Sequence, residues 1–146
     1  SFGGAVATCH ASRDRRIKVI ALQTPVFDIN YIANYPEFNA VWDGLAAAGL
    51  ARLPKAGVKE TLEKEMQGNN PMNCIDKIAP RPLLIIAGSK DTLIPLEGIK
   101  KLFEKAKEPK KMETIIDADH SLTNLKAKKQ TFKVIIDFFK NEMIDF

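Results

Sequence analysis

The sequence predicts an α/β fold: a parallel sheet of about three strands flanked by helices, with a helical cap-like insertion. Three observations point to it. Residues 17–22 (IKVIAL) and 83–87 (LLIIA) are short, almost wholly apolar and rich in β-branched side chains, the pattern of strands covered on both faces. Residues 112–116 (METII) make a third, shorter run. Between and after these runs lie segments with helical spacing, the alternation expected of right-handed crossovers around a parallel sheet.

Small residues across 3–11 (GGAVATCHA) suit a helix packed tightly on a sheet, and Ser12, Arg13 and Asp14 break it before the first apolar run. That strand is expected to end near Thr24 and Pro25. Residues 28–76 change character: aromatic side chains come first (Tyr31, Tyr35, Phe38, Trp42), then an alanine-rich stretch, then VKETLEKEMQG with helical spacing. The segment reads as a helical insertion inside one domain spanning 1–146. GNNPMN closes it, because Gly and Asn tolerate left-handed backbone and Pro cannot continue a helix. Pro82 leads into the second strand, and residues 96–107 alternate as a helix. Residues 125–143 carry Phe132, Ile135, Ile136, Phe139 and Met143 in an amphipathic C-terminal helix.

At 146 residues, 45% hydrophobic and 27% charged, the chain has the size and composition of one globular domain rather than a disordered segment. No apolar run approaches the roughly 20 residues of a bilayer span, and the start lacks the pattern of a secretory signal, so a cytoplasmic protein without a membrane partner is expected. Cys9 and Cys74 lie far apart without metal-ligand spacing and are read as free thiols. The net charge of +4 is carried in helical stretches such as EGIKKLFEKAKEPKK, and no aromatic or glycine-rich RNA motif accompanies it. It reads as solvated helix faces, not as a nucleic-acid surface.

In open parallel sheets ligands gather beyond the C-terminal ends of the strands. Ser1 precedes the first helix, Asp91 follows the second strand, and His120 follows the third. A serine hydroxyl needs a histidine to take its proton and a carboxylate to orient that histidine. All three types occur at these positions, in the chain order Ser, Asp, His. Asp119 and, less directly, Asp117 are rival carboxylates, and His10 on the first helix reads as a structural or surface residue. Ser1 has two other readings, a plain chain terminus and a nucleophile served by its own α-amine.

SFGG resembles the second half of the G-x-S-x-G nucleophile elbow of the α/β-hydrolase superfamily, with Gly3 at the last motif position; RPLLIIAGSKDTLIP resembles its acid-bearing strand and loop, and ADHSL its histidine loop. The likeness covers essentially the whole chain and is nearest to the dienelactone hydrolase, serine aminopeptidase and acyl-esterase branches. It implies a serine hydrolase acting on a carboxylic ester, or on a peptide or amide, through an acyl-enzyme, with a small-molecule ester or short peptide as substrate. Ser1 would attack, His120 would shuttle the proton, Asp91 would orient it, and the Phe2 N–H would help hold the oxyanion; no metal or organic cofactor is implied. Gly3, Gly4 and Ala5 supply the small side chains that a sharp elbow needs. Tyr31, Phe38 and Trp42 are candidates for a lid over the acyl pocket or, equally, for packing that anchors the insertion.

The resemblance also implies that this is the C-terminal portion of such an enzyme, since the family's strand into the elbow and its second oxyanion donor precede the nucleophile. Residues 17–22 would then form an apolar sheet edge that pairs with a second copy or with an N-terminal portion. The alternative function is a non-catalytic assembly module, inactive without that portion.

Overall fold

In the computed structural model, residues 1–36, 38–49, 57, 60, 64 and 66–143 are described. The elements run α1 (Phe2–Ala11), β1 (Ile20–Gln23), α2 (Ile29–Ala33), α3 (Phe38–Ala47), three short 3-10 turns (Gln67–Asn69, Pro71–Asn73, Ile75–Lys77), β2 (Leu83–Gly88), α4 (Leu96–Lys105), β3 (Lys110–Ile115) and α5 (Leu125–Glu142). The sheet is parallel in the order β1-β2-β3, with Ile20 beside Leu83 and Leu83 beside Lys110.

Every residue of β2 is buried, which is why its sequence is a continuous apolar run rather than an alternating one. Its two faces feed two cores. Leu83, Ile85 and Ala87 pack with Ala5 and Ala11 of α1 and with Ile99 and Leu102 of α4. Leu84 and Ile86 pack on the opposite face with Ala127 and Phe138 of α5. At about 1.5–3 kcal/mol per fully buried aliphatic side chain, β2 is the main apolar anchor of the fold.

Below the sheet, at the N-terminal ends of the strands, Arg81 is buried, and among the described residues no carboxylate forms a salt bridge with it. Its five N–H groups reach five carbonyl oxygens: Ile78 (2.9 Å), Asp14 (3.0 Å), Ile17 (3.0 Å), Ala11 (2.6 Å) and Lys77 (3.4 Å). One guanidinium therefore ties the end of α1, the loop after it and the turn before β2. This also explains a difference from the sequence expectation: β1 begins at Ile20, not at residue 17, because the Ile17 carbonyl is engaged by Arg81.

Other boundaries shift for local reasons. α4 stops at Lys105, two residues early, where the Lys110 ammonium takes the carbonyls of Phe103 (2.8 Å) and Ala106 (2.7 Å) and lies over the Phe103 ring. β3 starts at Lys110 and ends at Ile115, leaving Ile116 exposed. In α5, Phe132 and Ile136 face solvent, as does Met143 just beyond it, while Ala127, Thr131 and Phe138 are buried. Small side chains at Ala127 and Thr131 let the helix backbone approach the sheet. Asn124 starts the helix by accepting from the amides of Lys126 (2.9 Å) and Ala127 (3.2 Å).

In the 28–76 segment, Asp28 caps α2 and also accepts from Asn70 at 2.8 Å, so its two ends are joined at one carboxylate oxygen. Most of VKETLEKEMQG lies outside the described residues, although Glu60 and Lys64 are helical. No helix among the described residues is long and apolar enough to cross a membrane.

Candidate active site

The C-terminal ends of β2 and β3 carry two loops that hold each other. The Ser89 amide bonds the Ile115 carbonyl (3.0 Å), the Lys90 amide bonds the Ala118 carbonyl (2.9 Å), and the Asp117 amide bonds Ser89 Oγ (2.9 Å). Lys90 Nζ pairs with Asp117 at 2.7 Å. Gly88 permits this approach: a Cβ there would lie 2.4 Å from the Ala118 oxygen.

Within that clamp Asp91 Oδ2 meets His120 Nδ1 at 2.9 Å. Asp91 Oδ1 accepts from the amides of Leu93 (3.0 Å) and Ile94 (2.8 Å). Burial pushes the Asp91 carboxyl up, but the His120 hydrogen bond, the Ile94 amide, the His120 charge and the Leu93 amide together outweigh it and leave the group below its ordinary value. The carboxylate side chain has no exposed surface and the imidazole is 22% exposed, so the acid is sheltered and the base opens to solvent.

The rival carboxylates are occupied elsewhere. Asp117 pairs with Lys90, and Asp119 accepts from the Thr123 amide and hydroxyl, which closes the loop beyond His120. Backbone strain gathers at this end of the sheet: Thr24 (φ 37°), Asp117 (φ 60°) and Leu122 (φ 54°) are non-glycine residues with left-handed backbone.

Ser1 sits at the head of α1 beside the end of β1. Its main-chain nitrogen donates to the Gln23 carbonyl (3.3 Å), and its own carbonyl accepts from the amides of Gly4 (2.9 Å) and Val26 (3.1 Å). Ser1 Oγ makes no capping bond to the helix, although serine is a strong N-cap residue. Among the described residues no hydrogen bond connects it to His120. The Phe2 amide opens α1, where the first N–H groups have no partner within the helix and the dipole favours negative charge.

Of the three small residues expected to meet the elbow's steric demand, Gly4 makes the tight contact, where a Cβ would lie 2.6 Å from Pro25 Cβ, and a Cβ at Gly3 would meet nothing within 4 Å among the described residues. Tyr31 stacks at 4.9 Å on Phe27 and donates to the Leu93 carbonyl at 3.3 Å. Phe38 and Trp42 belong to α3, and their side chains lie outside the described residues. His10 is exposed on α1, 3.5 Å from Asp14. Cys9 and Cys74 are free and buried, and burial with the neighbouring Cys74 thiol pushes Cys9 up to about 12.

The sequence reading missed the partners of Asp91, namely the Leu93 and Ile94 amides. The signal was present: an aspartate two and three residues before the amides it accepts is an Asx-type turn, readable in KDTLIP. The Gly88 contact with Ala118 had no signal of its own, since the two residues lie 30 positions apart.

A parallel sheet flanked by helices, with Ser1, Asp91 and His120 beyond the C-terminal ends of its strands or at the head of α1, is the arrangement of the α/β-hydrolase superfamily. The chain belongs to the prolyl oligopeptidase family, whose sequence profile matches residues 1–145. The fold is similar to an esterase domain from Rhodothermus marinus (TM-score 0.71, 20% identity, 96% of this chain and 58% of that one). It is also similar to a puromycin hydrolase variant (TM-score 0.73, 14% identity, 97% of this chain and 21% of that one). Over 48 residues, 33% of the chain, it is 44% identical to YfhR of Escherichia coli (strain K12) and spans 17% of that protein. The chain thus corresponds to little more than half of the Rhodothermus domain and to a smaller part of the other two.

Proposed function

We propose that the protein is a serine hydrolase that cleaves a carboxylic ester through an acyl-enzyme, with a peptide or amide as the alternative substrate. The observation that carries this reading is the Asp91–His120 contact of 2.9 Å, with the second carboxylate oxygen fixed by two amides. Nδ1–H given to Asp91 leaves Nε2 with the lone pair needed to take a proton. Ser1 Oγ attacks the carbonyl carbon as His120 accepts its hydrogen, and the oxyanion forms at the Phe2 N–H, aided by the start of α1. Collapse of the tetrahedral adduct expels the alcohol or amine, which leaves with the proton from His120. Water, activated by the same imidazole, then releases the acid and restores the serine.

The name of the Rhodothermus neighbour favours esters, and the family name favours peptides. The 28–76 segment is proposed as a lid over the acyl group, with Phe38 and Trp42 of α3 among its apolar residues. Hydrolysis of short p-nitrophenyl esters and of peptide anilides, with labelling by a fluorophosphonate, tests the reading. Turnover and labelling that vanish in Ser1→Ala are expected; turnover that persists in that variant would sink it.

A second reading has its own support: no hydrogen bond joins Ser1 Oγ to His120 among the described residues. On this reading the chain is an assembly module whose chemistry requires a further portion. The Ile20 and Thr24 amides bond β2, so Ala21 and Gln23 turn theirs to the outer edge of the sheet, where a second copy or an N-terminal portion would pair. Sedimentation separates the readings on this point, a dispersed monomer across micromolar concentrations counting against pairing between copies.

A further inference from the structure

We infer that Tyr31 is a positioning residue for Asp91, acting across a single peptide unit; the inference rests on the proposed roles of Asp91 and His120. The Tyr31 hydroxyl donates to the Leu93 carbonyl at 3.3 Å. That carbonyl belongs to the same planar peptide group as the Ile94 N–H, which donates to Asp91 Oδ1 at 2.8 Å. The other carboxylate oxygen holds His120 Nδ1 at 2.9 Å. A row of hydrogen bonds therefore runs from Tyr31 through one amide and one carboxylate to the imidazole.

Two physical effects follow. A planar peptide transmits orientation, so fixing the Leu93 oxygen fixes the direction of the Ile94 N–H. A hydrogen bond accepted at the carbonyl polarises the amide and strengthens its N–H as a donor, so Tyr31 reinforces the bond that keeps Asp91 ionised and aimed. The phenol is itself braced: its ring rests on Phe27, and Phe27 lies where a Cβ on Gly98 would come within 2.2 Å, locking it against the first turn of α4. The acid loop is thus held on one side by the histidine loop and on the other by α2, the opening helix of the 28–76 segment.

The test is Tyr31→Phe, which removes the hydroxyl and keeps the ring, read by proton NMR and by kinetics. The proton between His120 Nδ1 and Asp91 Oδ2 is expected to resonate far downfield in the parent, and to move upfield and exchange faster in the variant. Against the ester or peptide found above, kcat is expected to fall about tenfold with KM within about twofold, as a misaimed acid requires. In an Asp91→Asn background the same change is expected to cost nothing further, because its target is gone. A rise in KM alone, an unmoved resonance even with a lower melting temperature, or an equal loss in the Asp91→Asn background would each overturn the inference. The resonance is read without substrate, so a protein inert toward esters and peptides would sink the hydrolase reading while the spectrum still decides the role of Tyr31.

Discussion

The two ends of the parallel sheet each bury an ionisable side chain and treat it in opposite ways. At the N-terminal end Arg81 spends all five N–H groups on main-chain carbonyls, from Ala11 to Ile78, so no donor remains to offer a ligand. At the C-terminal end Asp91 fills its oxygens with two amides and His120, and the imidazole beyond it keeps a ring nitrogen outside the recorded hydrogen bonds of the described residues. A saturated cation makes a joint. A nearly saturated acid that ends on a half-open base makes a candidate site.

The largest effect expected from breaking this contrast is at the acid. Asp91→Asn keeps the shape but offers His120 the wrong tautomeric partner, and kcat/KM is expected to fall about 10⁴-fold with the fold retained. Steady-state kinetics and circular dichroism on one preparation check both halves of the statement.

At the opposite end Arg81→Met is expected to lower stability by roughly 3 kcal/mol or more, because it leaves five carbonyls without their donor. Urea unfolding measures the loss, and the activity of the folded fraction should stay close to that of the parent. A large rate defect without a stability defect would erase the contrast between the ends.

Gly88→Ala is the intermediate case, since its Cβ would press on the Ala118 oxygen and part the two loops. A stability loss of about 1–3 kcal/mol is expected. A fall in kcat should accompany it, because the same displacement separates Asp91 from His120.

The smallest effect is in pH. The Asp91 carboxyl lies below its ordinary value in the fold, so it contributes stability that is complete above about pH 4 and is lost as the pH falls through its folded value. Asp91→Asn lacks that contribution. Melting curves of the two proteins should therefore converge as the pH is lowered below about 4.

Much of this contrast was legible in the residue string. LLIIA announced a strand buried on both faces, and the positions after it and after METII held Asp91 and His120, which the structure places in contact. The limits of β1 were not legible, since an Arg81 side chain some 60 positions away claims the Ile17 carbonyl. Nor was the rotation of α5: of the apolar residues marked by periodicity Ile135 packs inward with Ala127 and Phe138, while Phe132 and Ile136 face solvent. Between Asp91, Asp117 and Asp119 the sequence favoured Asp91, because the other two lie beside His120 in the chain and suit its loop; in the structure Lys90 and Thr123 engage those two.

By itself the sequence determined the class of fold, the order of its elements and the chemical types at the strand ends, because hydrophobic period and turn chemistry act over a few neighbouring residues. Only the tertiary structure decided what engages Asp117 and Asp119, that of the elbow's small residues Gly4 meets Pro25, and that Tyr31 reaches the acid loop. Most of those outcomes depend on distances between residues 20 to 60 positions apart, and such distances exist only once the chain has packed.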